Sequence, residues 1–272
     1  MQANISGKTT FHDGKKWSGT HNARTEKAMS EWNQDGHINP RLTPENEILL
    51  WGKSEWMSQS DFVESGEKYC DLKAIFDQTF GDALVKFNNA QTKHPERVIG
   101  YSKGQIEGLR EQLTAKLAKN GSPSEIAEVE KQLQQKIRDK AVSTYLAEQK
   151  KNIHESIVQL SDHKNFELLC NQVGEEKARE MHKEYLHRCV EDWQKNNPNL
   201  MIVGAAIHFD EATPHVHIDW MSVGHSNRGL TVKVSMDAAL KEQGFEREKK
   251  KRNTMKHPTR DGAQPREKDL RR

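Results

Sequence analysis

Two apolar stretches joined by one short polar link constrain this fold more than any other feature of the chain. Leu200–Ile207 is a continuous apolar run, and His215–Val223 reads as a second strand. The link between them lies within His208-Phe209-Asp210-Glu211-Ala212-Thr213-Pro214-His215-Val216-His217. Six residues, among them Asp, Thr and Pro, separate His208 from His215, which suits a hairpin connection. Side chains alternate along a strand, so His215 and His217 project to one face and Val216 to the other. His208 ends the preceding strand. If the strands pair, three imidazoles converge at the end of a buried sheet. Three neutral imidazoles with Glu211 beside them make an open divalent-metal site, with positions left for water or a substrate oxygen.

Two rival readings are weaker. A His-x-His pair alone often marks nothing more than half-exposed strand histidines, but here His208 and Glu211 share the connection. A zinc protease carries His-Glu-x-x-His on a helix. Pro214 and the two-residue spacing place these ligands on a strand instead, which excludes the protease.

The remaining chain predicts an α+β fold with a central antiparallel sheet, its helices packed on one face. Met1–Lys16 offers one edge strand, Thr20–Met29 is helix-compatible, Gly36–Pro44 is a loop, and Glu47–Trp51 is a short strand. Asp71 is placed to cap a helix whose apolar stripe is Leu72, Ile75, Phe76, Phe80, Ala83, Leu84 and Phe87. Ile106, Leu109, Leu113 and Leu117 form one narrow seam, and Ile126, Val129, Leu133 and Ile137 form another. A Gly-Ser-Pro turn lies between them, so residues 102–150 are expected to be a protruding antiparallel helical hairpin inserted in the domain. Ile153–Leu160 is a half-buried strand. A helix from about Glu175 to Gln194 is expected to face inward with Ala178, Met181, Tyr185, Cys189 or Val190, and Trp193.

Charge divides the chain. Residues 246–272 carry 11 Lys/Arg against 5 Asp/Glu, whereas the other 245 residues carry 31 against 35. Residues 1–245 therefore form the expected folded domain, and 246–272 a basic, disordered tail suited to a polyanion. No run approaches the ~18 apolar residues of a membrane span. Three widely spaced cysteines, Cys70, Cys170 and Cys189, read as reduced thiols, which predicts a cytoplasmic protein.

His208–His217 resembles the His-x-Asp-Glu-x-Thr-Pro-His-x-His motif of the Mob/Pre relaxases, the plasmid recombination enzymes, and more broadly the His-hydrophobe-His signature of rolling-circle and mobilisation nucleases. Thr20-His21-Asn22-Ala23-Arg24 is similar to that family's N-terminal His-Asn-x-Arg segment. Ile38-Asn39-Pro40, Asn152–Leu160, Asn197–Leu200 and the stretch from Gly229 to Phe245 also look like family segments. The resemblance implies metal-dependent, site- and strand-specific nicking and joining of DNA at a plasmid origin of transfer, through a covalent intermediate. The expected ion is Mn or Mg on His208, His215 and His217. No organic cofactor is expected. The expected partner is single-stranded or hairpin DNA, and a homodimer is allowed, since relatives usually run on into a helical region used for self-association.

Nothing local marks His21 out among 13 histidines; the resemblance assigns it the nucleophile's place. An imidazole of pKa near ~6.5 is mostly neutral and nucleophilic at pH 7. Arg24, three residues on, would clamp the scissile phosphate. Glu211 either accepts a proton or holds a ligand, and the resemblance favours the first. Tyr69, Tyr101, Tyr145 and Tyr185 are the competing nucleophiles. Asp210 and Asp219 flank the motif as structural or supporting groups. Two other functions compete with nicking: a DNA-binding module that no longer cleaves, and a metal hydrolase of small phosphoesters. A covalent protein–DNA adduct separates nicking from both.

Overall fold

A computed structural model describes residues 10–13, 19–24, 38–117 and 122–245. The expected basic tail lies outside them, as does most of the predicted N-terminal edge strand and the second half of the Thr20–Met29 helix. Among the described residues the strands are β1 (Thr10–Asp13), β2 (Glu47–Leu50), β3 (Met57–Ser58), β4 (Ile153–Gln159), β5 (Leu200–His208), β6 (His215–His225) and β7 (Val232–Val234). They form one antiparallel sheet in the order β1-β4-β6-β5-β2-β3, with β7 on β6. The helices are α1 (Gly19–Asn22), α2 (Gln59–Ser65), α3 (Leu72–Ala90), α4 (Lys103–Leu117), α5 (Pro123–Gln149), α6 (His163–Val173), α7 (Glu175–Asn196) and α8 (Met236–Glu242).

The sheet is covered on both faces, where the sequence suggested one. On one side Leu186 and Val190 of α7 pack on Val158, Ile207, Val216 and Ile218. On the other, Ile75, Phe76, Phe80 and Leu84 of α3 and Ala141, Val142 and Tyr145 of α5 meet Ile153, Val203 and Met221. The continuous apolar run of β5 is the pattern of a strand buried on both faces, where polar alternation is lost. Asp71 caps α3 as expected, its carboxylate accepting from the Ala74 N–H. Ser122 and Glu125 close a capping box at the start of α5.

Two helical expectations need correction. In α7 the buried residues are Ala178, His182, Leu186 and Val190, a row four residues apart. Met181 lies outside that row and is exposed, while Tyr185, Cys189 and Trp193 only flank the core. His182 is buried with both ring nitrogens occupied, by Ser161 and by the Ala178 carbonyl. The hairpin of α4 and α5 is likewise not a free projection throughout. Its outer part is poorly covered, with Ile126 exposed, but α5 from Leu133 to Tyr145 belongs to the core.

A bulge between Ile202 and Gly204 interrupts the β5–β6 register. Gly204 is needed there: a Cβ would fall 2.6 Å from the Cys70 sulfur and 3.0 Å from the Tyr69 ring. Those two residues thereby reach the middle of the sheet face that carries the histidines.

Candidate active site

In the β5–β6 ladder His208 stands opposite His215, and Ala206 opposite His217. The three imidazoles therefore share one face, with ring centroids 4.7 to 5.4 Å apart. The connection between the strands is held from below. Asn46 Oδ1 accepts from the Phe209 and Asp210 N–H groups, and the Asn39 N–H donates to the Asp210 carbonyl.

Each imidazole commits one nitrogen to an oxygen acceptor. His208 Nε2 donates to the Asn22 carbonyl (3.1 Å), His215 Nδ1 to the Thr213 carbonyl (2.9 Å), and His217 Nδ1 to Glu155 Oε1 (3.0 Å). In neutral rings this fixes the tautomers and leaves His208 Nδ1, His215 Nε2 and His217 Nε2 with free lone pairs. His208 Nδ1 is buried without a hydrogen-bond partner. His215 Nε2 and His217 Nε2 face each other at 3.1 Å. Two lone pairs so placed repel, and a shared cation at ~2.0–2.3 Å from each removes the repulsion. The residues therefore fit a divalent ion.

Among the described residues, donor atoms closing to within 4.8 Å of one another fall into two overlapping sets, His21/His208/His217 and His208/Glu211/His215. His208 is common to both, and the expected ligands His215 and His217 are divided between them. Burial is the chief cause that drives the His217 pKa down to about 3 and the His208 pKa down to about 4, so both rings are neutral at pH 7.

His21 comes to the same place from almost 200 residues away. It sits in α1, whose single turn lies over the histidine face, with its ring 5.4 Å from His208 and 5.5 Å from His217. Burial, followed by the Arg24 charge, lowers its pKa to about 4.

The Arg24 guanidinium is buried and engaged within the site. Nε and Nη2 grip Asp210 at 3.0 and 2.8 Å, Nη2 also meets Glu211 at 2.6 Å, and Nη1 rests against His21 Nδ1 at 3.2 Å. A positive φ of 47° turns the backbone so that this fork points inward. Glu211 lies among His21, His208 and His215, at 3.9, 3.6 and 3.8 Å. Burial alone would raise its pKa, but His208, His215 and Arg24 outweigh burial and hold the carboxyl well below the usual range. Its place beside His208 and His215 is compatible with either expected role, accepting a proton or holding a ligand.

The tyrosines are otherwise occupied. Tyr69 donates its O–H to Asp219 at 2.7 Å. The Tyr145 oxygen accepts the Val234 N–H, Tyr185 packs beside the α7 core, and Tyr101 is half-buried under Lys140. Glu155 and Asn22 were missed as site residues. Asp219, two residues beyond His217 on the same face, was legible from strand alternation, whereas Glu155 depended on the β4–β6 register.

A family model described as plasmid recombination enzyme (Mob_Pre) matches residues 103–272. No curated protein matches the chain. Among solved structures, the chain is similar to the MobM relaxase domain bound to plasmid pMV158 oriT DNA and Mn. One such structure is 18% identical, with 88% of this chain and 78% of that chain covered and a TM-score of 0.36. A second is 16% identical, covers 88% of each chain and has a TM-score of 0.34. Identity and TM-score at this level leave membership to the family model, whose match takes in β5, the connecting loop and β6 with all three histidines. On that match the chain belongs to the plasmid recombination enzyme family.

Proposed function

We propose that this chain nicks and rejoins one strand of plasmid DNA at an origin of transfer, with His21 as nucleophile and a divalent ion, Mn or Mg, on His208, His215 and His217. One observation carries the reading. Three buried imidazoles on one sheet face, with ring centroids 4.7 to 5.4 Å apart, each give one N–H to an oxygen and keep the other nitrogen for a ligand role, with a fourth, neutral imidazole 5.4–5.5 Å from two of them.

A ring nitrogen of His21 attacks the scissile phosphorus, a P–N bond forms, and the bond to the 3′ oxygen breaks. The 5′-phosphate stays on His21, whose other ring nitrogen gives up its proton, and a proton taken from solvent turns the leaving 3′ oxygen into a hydroxyl; the reverse reaction rejoins the strand. The bound ion supplies Lewis-acid polarisation of a non-bridging phosphate oxygen. Arg24 holds Asp210 and Glu211, which fixes the loop bearing the ligands, and its charge adds to burial in keeping His21 unprotonated. Glu211 lies close enough to His208 and His215 to complete the ion's shell.

Residues 1–245 act as one nuclease domain: the inner half of α5 shares the core of β4, β5 and β6, so the 102–150 hairpin belongs to it. No helix among the described residues is long and apolar enough to cross a membrane, and the three cysteines are unpaired, which supports work in the cytoplasm. A homodimer is a further proposal, resting on the family resemblance.

The test is to incubate the protein with a library of labelled single-stranded hairpins and Mn²⁺, then look for label on the denatured protein. A covalent adduct that chelation prevents is the expected result. Turnover of small phosphoesters with no adduct on any DNA would replace this reading with a hydrolase.

A further inference from the structure

Below the three histidines, the same sheet face carries two buried carboxylates. Glu155 of β4 and Asp219 of β6 are register partners, 8% and 0% exposed. Side chains directly opposite on an antiparallel pair lie about 5 Å apart, and like charges there repel. Between them sits the side chain of Asn22, itself fully buried. Its Nδ2 donates to Glu155 Oε1 at 2.8 Å and to Asp219 at 3.0 and 3.1 Å. The carbonyl of the same residue accepts from His208 Nε2. Asn22 therefore touches one ligand histidine directly and a second, His217, through Glu155. It also adjoins His21 in sequence.

We propose that Asn22 is a positioning residue that joins docking of the His21 segment to orientation of the metal ligands, so that nucleophile and ion site form together. The inference rests on the metal-dependent nicking proposed above and adds to it a residue whose side chain contacts neither DNA nor ion. The same oxygen, Glu155 Oε1, accepts from the Asn22 amide at 2.8 Å and from His217 Nδ1 at 3.0 Å, so Asn22 fixes the acceptor that holds the His217 ring. An amide suits this place because one nitrogen carries two donors in fixed directions. Aspartate, nearly the same shape, would put a third carboxylate between the two.

The experiment compares wild type with Asn22→Ala and Asn22→Asp. Ring-nitrogen NMR of the metal-free protein, labelled in histidine, reads the His217 tautomer. Mn²⁺ titration followed by electron paramagnetic resonance reads affinity, and adduct formation at saturating Mn²⁺ reads the nucleophile. In wild type His217 is held with its proton on Nδ1. In both variants that form gives way to a mixture, Mn²⁺ affinity falls about 10–100-fold, and the adduct rate stays depressed even when Mn²⁺ saturates. His182, whose partners are Ser161 and Ala178, keeps its signal, as a general loosening of the fold would not allow. If neither variant folds, Asn22→Ser, which retains one donor, is read in the same way. A His217 tautomer, Mn²⁺ affinity and adduct rate all unchanged in the variants would overturn the proposal. Wild type that neither binds Mn²⁺ nor forms an adduct would sink the nicking reading, while the metal-free tautomer still judges Asn22 on its own.

Discussion

From His215 to Trp220 the two sides of β6 are buried alike and differ in chemistry. Val216, Ile218 and Trp220 point into the layer beneath α7, where Leu186 and Val190 meet them. His215, His217 and Asp219 point the other way, among His208, Glu155, Asn22 and Arg24, and all of these are buried too. The apolar side gains from removal of surface from water, at roughly 25 cal/mol per Å². The polar side gains nothing comparable, and each of its groups must find a partner or cost about 1–3 kcal/mol. Nearly all do. Arg24 satisfies Asp210, Asn22 satisfies Glu155 and Asp219, and carbonyls take the N–H groups of His208 and His215. Among the described residues, His208 Nδ1, which would hold an ion, is left over together with the oxygen of the Asn22 amide. At this end of the strand one side packs the core and the other makes the site, while further along the histidine side Met221 joins the second core under α3 and α5.

The largest effect that would break this division falls on the nucleophile. His21→Ala should lower adduct formation by at least about 10³-fold, while Mn²⁺ binding and the melting temperature stay close to wild type. Adduct yield on a labelled hairpin, with Mn²⁺ titration alongside, checks it. A P–N link to histidine is acid-labile, so label that survives acid on Tyr69 or Tyr101 would move the nucleophile without removing the ion site.

Acid should separate the two sides next. Folded His21, His208 and His217 titrate at about 4, 4 and 3, whereas in the unfolded chain they titrate near ~6.5. Below pH 6.5 the unfolded state therefore takes up protons that the folded state refuses. Stability is fully present above that pH and declines as pH falls toward 4. At its steepest, three such groups give a slope of about 4 kcal/mol per pH unit, an upper bound because the chain can relax locally. Melting temperatures between pH 7.5 and 4.5 without metal should fall steeply below pH 6.5, and saturating Mn²⁺ should flatten the curve by holding the rings neutral. A flat metal-free curve would mean that the histidines are wetter than this packing allows.

How much of this was legible follows from the range of the interactions. The histidine convergence could be read from residues 208–217 because hairpin and alternation are local rules. The α3 stripe and its Asp71 cap could be read for the same reason. Glu155 could not, since its place beside His217 depends on how β4 pairs with β6, 62 residues away. Nor could the inward turn of Arg24, which depends on Asp210 at a separation of 186 residues. For His21 only resemblance supplied a role, and folding supplies the neighbours that give the role physical meaning.

The smallest expected effect tests the apolar side, through the direction in which α7 faces the sheet. The sequence placed Met181 and Tyr185 in the core row. The structure instead buries Ala178, His182, Leu186 and Val190 and leaves Met181 40% exposed. A four-residue step drifts by about 40° per turn against the 3.6-residue helix, so this row winds slowly around α7 to follow a twisted sheet. Met181 lies one position back, about 100° from His182, at the edge of that row. Met181→Gln keeps length and helix propensity and should change unfolding free energy by no more than about 0.5 kcal/mol. Leu186→Ala, five residues on and fully buried, should cost about 2–5 kcal/mol. Neither should alter Mn²⁺ affinity at a temperature where the protein is folded, because α7 packs against the opposite side of β6 from the histidines. Denaturant melts of the two variants, read beside Mn²⁺ titrations, check both halves of that statement. Should Met181→Gln cost as much as Leu186→Ala, α7 is rotated from this orientation and the sequence-derived row was the right one. Should Leu186→Ala weaken Mn²⁺ binding in the folded protein, the two sides of β6 are coupled through the strand itself.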